Sequence, residues 1–256
     1  MSTTIRLGLY RDEDQTPWMC VQRLLAPLGI NLKINLYCSY DILNMSLAAK
    51  EIDLNSFQNR EFLAQENAAH GYNLVPLANT YIEPMCLYSN KRFKDDDLQD
   101  NDLIVVPEDK ANLGRALSIL NDYGIITLDP NAGYRADLDD ILNNPRNLRF
   151  VKVESERTIE ALDDRDVTAA FVFANIAKSA GLQVHRDGFC FERYSYKDQP
   201  DYPFMKVIAV RNGDEKRAEF AQLVNAFRSP ETVTLLHDIQ YGQIILGFED
   251  PTAVKA

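Results

Sequence analysis

Long apolar runs are missing from this sequence. No stretch approaches the roughly 18 consecutive apolar residues of a membrane span, so a chain embedded in the bilayer is not expected. No G-x-G-x-x-G follows a strand-like segment and no G-x-x-x-x-G-K occurs, which leaves nucleotide binding without support. Histidine is scarce: His70, His185 and His237 are scattered and form no nucleophile–base arrangement. Four cysteines (Cys20, Cys38, Cys86 and Cys190) show no CxxC spacing and none stands near a histidine at metal-ligand spacing. No metal and no cofactor are therefore expected. Cys20, Cys38 and Cys86 lie among apolar residues and are expected as buried free thiols, which weakly favours a reducing compartment. Basic residues fall short of acidic ones, 27 against 38, for a net charge of −11. That balance argues against nucleic acid and anionic membranes as partners. The acid concentrates in "RDEDQ" (11–15) and "KDDDLQDND" (94–102), expected to be solvated loops.

What is present is an alternation of strand-like and helix-like segments. Strands are expected at 4–10, 30–37, 52–57, 102–107, 148–154, 167–173 and 202–211, with an extended run over 73–89 broken at Pro84. Helices are expected at 18–29, 40–51, 59–71, 112–123, 136–145, 156–164, 215–229 and 230–240. The alternation predicts an α/β fold with mostly parallel sheets, and two βα groups separated by a loop predict two lobes.

One helix poses a question. In "DKANLGRALSIL" (109–120), Leu113, Ala116, Leu117 and Leu120 share a core-facing stripe and Asn112 is a plausible N-cap. Arg115 then falls in the first turn, where the helix dipole disfavours a cation. Either Arg115 is a solvated surface residue, or an anion sits there and is bound by the guanidinium and the free N–H groups together.

The segments "EIDLNSFQN" (51–59), "LVPLANTYIEPMCLYS" (74–89), "LIVVPEDKANLGRAL" (103–117), "ADLDDILNNPRNLRFVKVE" (136–154) and "ALDDRDVTAAFV" (161–172) carry a resemblance. In order and spacing they resemble the methionine-binding, NlpA-type lipoproteins, the substrate-binding components of methionine ABC importers. The resemblance runs from about residue 5 to about residue 248. It implies a two-lobed type II periplasmic-binding-protein fold, with residues 1–88 and 204–256 in lobe I and 89–203 in lobe II. It also implies a ligand cleft between lobes that closes like a clamshell and is read by an ABC permease. Arg115 matches the family arginine that binds the ligand's carboxylate, next to Asn112. Tyr40 and Phe57 match two aromatics that sandwich a thioether.

Three positions depart from the pattern. The family's histidine two residues after the phenylalanine is Asn59 here, and its two ligand-holding asparagines are replaced by Phe173 and Lys206, although Asn175 matches another commonly seen asparagine. A ligand ammonium opposite Lys206 would meet a like charge. The expected ligand therefore has a carboxylate for Arg115, an acceptor or second anionic group for Lys206, and an apolar middle resting on Tyr40, Phe57 and Phe173. Alternatively Lys206 pairs with a nearby acid such as Glu83, or its head reaches solvent, and methionine remains the ligand.

Catalysis is not expected. Asp139 and Asp140 point about 100° apart on a helix, and no base can be assigned to Cys190 in "DGFCFERYSY". The function expected is that of a solute receptor, monomeric by default. The alternative is a cytosolic sensor or ligand-sequestering protein on the same fold. Residues 1–10 lack a basic start and an apolar run, so no signal peptide is visible. Removal of a leader would place the protein at the cell envelope, and a true start at Met1 would place it in the cytoplasm.

Overall fold

Residues 3–10, 15–91, 98–195, 197–239 and 243–253 are described by a computed structural model. Residues 11–14 and 94–97 of the acidic runs and the expected helix end at Gln240 lie outside them. In chain order the elements are β1 (Thr3–Leu9), α1 (Gln15–Leu25), β2 (Ile30–Leu36), α2 (Tyr40–Ala48), β3 (Leu54–Asn55), α3 (Arg60–His70), β4 (Leu74–Asn79) and β5 (Tyr81–Ile82). Then come β6 (Met85–Tyr88), β7 (Leu103–Pro107), α4 (Lys110–Asp122), β8 (Thr127–Leu128), β9 (Ile141–Asn143), β10 (Arg149–Val153), β11 (Ala169–Phe173), α5 (Ala174–Ser179), α6 (Val184–Asp187) and β12 (Gly188–Phe191). The chain closes with β13 (Val207–Arg211), α7 (Ala218–Phe227), α8 (Pro230–Ile239) and β14 (Ile245–Leu246).

These elements form two units, Met1–Ile82 with Ser195–Ala256, and Glu83–Tyr194. The first holds a five-stranded sheet in the order β2-β1-β3-β13-β4. Its strands β1, β2 and β3 are parallel, while β13 runs antiparallel to β3 and β4. Helices cover both faces, so β1 must bury side chains on both. Ile5, Leu7 and Leu9 pack with Trp18, Val21 and Phe227 on one face, and the other face meets Leu43, Leu47 and Ile52. Gly8 points to that second face. A Cβ there would lie 2.7 Å from Leu43 Cδ2 and 2.7 Å from Ile52 Cδ1, so any larger residue would push those two side-chain ends aside.

The middle strands of this sheet are tied by charge. Asp53 accepts from Arg6 Nε at 3.0 Å, Arg6 Nη2 at 3.0 Å and the Arg6 backbone N at 2.8 Å, and Arg211 and Arg217 lie within 3.7 Å and 3.6 Å. Burial pushes the Asp53 carboxyl up, but the Arg6 hydrogen bonds and the nearby arginine charges outweigh it and hold the group below its ordinary range.

The second unit repeats the architecture with the order β10-β7-β11-β6-β12. β7 pairs in parallel with β10 and β11, and β6 runs antiparallel to β11 and β12. The period of two is visible in β6: Met85 and Leu87 face one core with Leu113, Leu117 and Phe171, while Cys86 and Tyr88 face the other with Val105 and Val172. Residues 89–203 are expected to form the second lobe, but β6 pairs with β11 and β12, so the second unit begins before residue 89 and ends before residue 203.

Several local expectations need correction. Residues 136–145 form no α-helix. Asp137 caps a single 3₁₀ turn, with its side chain and that of Asp140 bonding reciprocally to the backbone, and Ile141–Asn143 then extends as β9 against β8. Residues 156–164 form two 3₁₀ turns, Ser155–Arg157 and Glu160–Asp163. The strand expected from residue 202 starts at Val207 and the strand expected over 52–57 is only Leu54–Asn55. All four cysteines are free, and Cys38 is exposed rather than buried. Among the described residues, no helix is long and apolar enough to cross a membrane, and no group of three or more His, Cys, Asp or Glu is placed to hold a metal ion.

Candidate functional site

Each unit contributes its own set of candidate side chains. In the second unit Arg115 and Phe173 come together. Asp109, not Asn112, caps α4: its carboxylate accepts from Asn112 N at 3.0 Å and Asn112 Nδ2 at 3.0 Å. The helix therefore starts at Lys110, and Arg115 sits in the second turn rather than the first. That removes the conflict with the helix dipole, which falls off within one turn.

Arg115 is not a surface arginine. It is only 5% exposed, and its partner is an anion of the protein itself, Glu192, which is 2% exposed. Arg115 Nε donates to Glu192 Oε1 at 2.8 Å and Nη2 donates to Oε2, a bidentate pair on the Nε edge of the guanidinium. Nη2 also donates to the Glu83 carbonyl at 2.8 Å. Glu192 is itself fixed, because its backbone N donates to Met85 O at 3.1 Å and its Oε2 accepts from Met85 N at 3.3 Å. Phe173 lies below the guanidinium, with Arg115 Cζ 5.3 Å from the ring centroid. Two residues on, in α5, Asn175 carries a buried Oδ1 with no hydrogen-bond partner among the described residues.

In the first unit the aromatic residues cluster. Tyr40 opens α2 and stacks on Phe57, centroids 5.3 Å apart and planes 16° apart, with Tyr10 at 4.0 Å from Tyr40 and Phe62 at 6.0 Å from both Tyr40 and Phe57. A group sandwiched between two rings needs about 7 Å, twice a van der Waals contact. Tyr40 and Phe57 thus form one continuous apolar face rather than two opposed walls. Tyr40 is 44% exposed, so that face is partly open.

The loop carrying Phe57 is held by a buried carboxamide cluster. Asn44 Nδ2 donates to Gln58 Oε1 at 2.8 Å, Gln58 Nε2 donates to Asn44 Oδ1 at 2.7 Å and Asn55 Oδ1 at 3.0 Å, and Asn55 Nδ2 donates to Asn44 Oδ1 at 3.0 Å. Low local dielectric strengthens such a fully bonded set and fixes one loop conformation. Asn59 does not replace the family histidine as a wall. It is the N-cap of α3, its Oδ1 accepting from Phe62 N at 2.8 Å. Replacing Asn59 with alanine is expected to lower stability by about 1 kcal/mol, whereas serine keeps the cap. Thermal unfolding checks this, and equal midpoints for the two variants would argue against a capping role.

Lys206 bridges Asn59 through the backbone, and its Nζ lies 5.2 Å from the Tyr81 ring centroid. Phe57, Tyr81 and Lys206 line one depression of the first unit together with Trp18 and Phe227. The structure thus groups Arg115 with Phe173 in one unit, and Phe57 with Lys206 in the other. Tyr40 joins Phe57 through its ring. Glu192 and the Asn44–Asn55–Gln58 cluster escape the sequence reading. The signal for Glu192 is a charge directly after the apolar "GFCF". Cys190, in the same segment, is fully buried, which removes it as an accessible nucleophile.

The chain matches the family model described as NlpA lipoprotein over residues 5–248. The D-methionine-binding lipoprotein MetQ of Escherichia coli is 29% identical over 245 residues, covering 95% of this chain and 88% of that protein. A solved nutrient binding protein from Burkholderia cenocepacia bound to methionine aligns with a TM-score of 0.76 and 30% identity, covering 95% of this chain and 100% of that one. An ABC transporter, periplasmic substrate-binding protein from Coxiella burnetii aligns at 0.76 and 29% identity, covering 94% and 99%.

Proposed function

The chain belongs to the NlpA lipoprotein family, and from that membership we propose that it is the solute-binding receptor of an ABC importer at the cell envelope. Its ligand is a small amino acid or a close analogue. Arg115 attracts the ligand's carboxylate, and the aromatic face of Tyr40 and Phe57 takes an apolar side chain. The observation that carries the reading is Asn175. Its buried amide oxygen has no partner among the described residues, and an unsatisfied acceptor costs about 1–3 kcal/mol. A ligand ammonium supplies the missing donor, and the Arg115 guanidinium suits a carboxylate. The methionine held by the Burkholderia cenocepacia relative is a ligand of this class. Lys206 adds a cationic head in the first unit. This favours a ligand with one more acceptor group over methionine itself. Receptors of this kind bind and release their ligand, and no catalytic step is assigned.

A thermal-shift panel tests the reading. The protein is unfolded and refolded to strip carried ligand. It is then mixed with L-methionine, D-methionine, methionine sulfoxide, glutamine, other amino acids, methionine dipeptides and simple carboxylates. A ligand at about 100 times its dissociation constant stabilises by about 2.7 kcal/mol, which moves the midpoint by roughly 5–10 °C. An amino acid with an acceptor-bearing side chain is expected to give the largest shift. If methionine alone acts, Lys206 does not select the ligand. If no compound acts, the receptor reading falls.

A further inference from the structure

We propose that Gln58 is a positioning residue of the first unit: its carboxamide and its backbone together hold the Tyr40–Phe57 face and Lys206 in one fixed register. The proposal rests on the reading that these three residues meet the ligand.

Gln58 lies between Phe57 and Asn59, the cap of α3. Its own side chain turns inward and is 3% exposed. There it serves two elements. Oε1 accepts from Asn44 Nδ2 at 2.8 Å and Nε2 donates to Asn44 Oδ1 at 2.7 Å, a reciprocal pair with α2. Nε2 also donates to Asn55 Oδ1 at 3.0 Å, at the end of β3. Asn44 stands one helical turn after Tyr40 in α2. The carboxamide therefore fixes the loop carrying Phe57 against the helix carrying Tyr40, and the stacking of the two rings depends on that spacing.

The backbone of the same residue reaches Lys206. Gln58 O accepts from Val207 N at 3.0 Å, Arg60 N donates to Met205 O at 3.1 Å, and Asn59 bridges Lys206 between these two bonds. Lys206 is thus held on both sides by the stretch that Gln58 anchors, and it lines one depression together with Phe57.

The arrangement requires a carboxamide. Asn44 and Asn55 are both fully buried, and they need a donor and an acceptor at the tip of one side chain. A carboxylate at this position would set an acceptor against the Asn44 and Asn55 oxygens. A thioether of equal length would supply neither group, leaving both asparagines short of partners in a site that excludes water. Either change lets the loop shift against α2 and carries the paired stretch 205–207 with it.

The test compares Gln58→Met with Val224→Ala, a truncation on α7 beside the Trp18–Phe227 core. A residue that only adds stability changes the folded fraction and leaves the spectrum of the folded state alone. Two signals are read in the full chain: a fluorotyrosine resonance of Tyr40, assigned by its loss in Tyr40→Phe, and isotope-labelled methyl groups on the Lys206 amine, assigned by their loss in Lys206→Arg. Both are expected to shift in Gln58→Met and to keep their wild-type positions in Val224→Ala. If only one shifts in Gln58→Met, or neither, or if Val224→Ala shifts them equally, the proposal is overturned. Should Gln58→Met not fold, Gln58→Asn decides on the same signals. It keeps the carboxamide but is one methylene too short to reach both asparagines, so two shifts support the proposal and any other result overturns it. Neither signal needs a ligand. A silent amino-acid panel would sink the receptor reading and leave this result standing, and unmoved signals would sink the role of Gln58 and leave the panel standing.

Discussion

Replacing Glu192 with alanine is expected to destabilise the protein by about 3–5 kcal/mol, because it strands the buried Arg115 charge. Both side chains are almost wholly buried, 6% and 2% exposed, so solvent does not screen the loss. Arg115→Met is expected to do comparable harm by stranding the Glu192 carboxylate. The two losses are not independent. Once one charge has gone, removing the other relieves desolvation rather than adding to the damage. The double variant Arg115→Met/Glu192→Leu is therefore expected to recover much of the stability lost by either single variant, since apolar replacements of buried pairs are often neutral. For a chain of this length the single variants should lower the thermal midpoint by at least about 6 °C. A double-mutant cycle decides between this and a merely local effect: simple additivity of the two losses would show that the pair carries no coupling. The double variant is also expected to lose the ligand response of the wild type while remaining folded. That separates the pair's contribution to stability from its contribution to binding.

The same pair shows where sequence reading reached its limit. Arg115 stands out because a cation falls in the expected first turn of a helix, a local signal. Glu192 lies 77 residues further on, and nothing in "GFCFER" announces which cation it meets. A long-range pair leaves no periodicity. The strands β1, β7 and β11 were legible because buried parallel strands read as continuous apolar runs. Residues 136–145 were not, because "LDDIL" has too few apolar positions to separate a period of 3.6 from a period of two. The reciprocal bonds of Asp137 and Asp140 then favoured one tight turn followed by an extended strand. Asn59 was open to a better reading. An asparagine directly before a helical segment is a capping signal, and Asn59 caps α3. The carboxamide cluster of Asn44, Asn55 and Gln58 was invisible for the same reason as Glu192. Each residue alone is an ordinary polar side chain, and only the fold brings the three into one buried set.

Gly114 gives the second large effect, and there two physical effects oppose each other. It sits in the interior of α4, where alanine is favoured over glycine by about 1 kcal/mol from helix propensity. On that ground alone Gly114→Ala should stabilise. Packing reverses the sign. A Cβ at Gly114 would lie 2.3 Å from the Tyr134 carbonyl oxygen, 2.9 Å from its carbon and 3.0 Å from Ala136 N. All three obstacles are backbone atoms, so no side-chain rotation relieves them. Either α4 or the 3₁₀ turn at Gly133–Arg135 must move. Overpacking of this kind costs about 1–3 kcal/mol and more where the obstacle is rigid, which outweighs the propensity gain. The movement also reaches the site, because Arg115 is the next residue on the same helix and its two bonds to Glu192 tolerate little displacement. Gly114→Ala is therefore expected to lower the thermal midpoint and to weaken ligand binding together. Lys110→Ala, at an exposed position of the same helix, should change neither. A stabilised Gly114→Ala variant would mean that α4 can lift from the Tyr134 carbonyl at little cost. The close approach would then not be what holds Arg115 against Glu192.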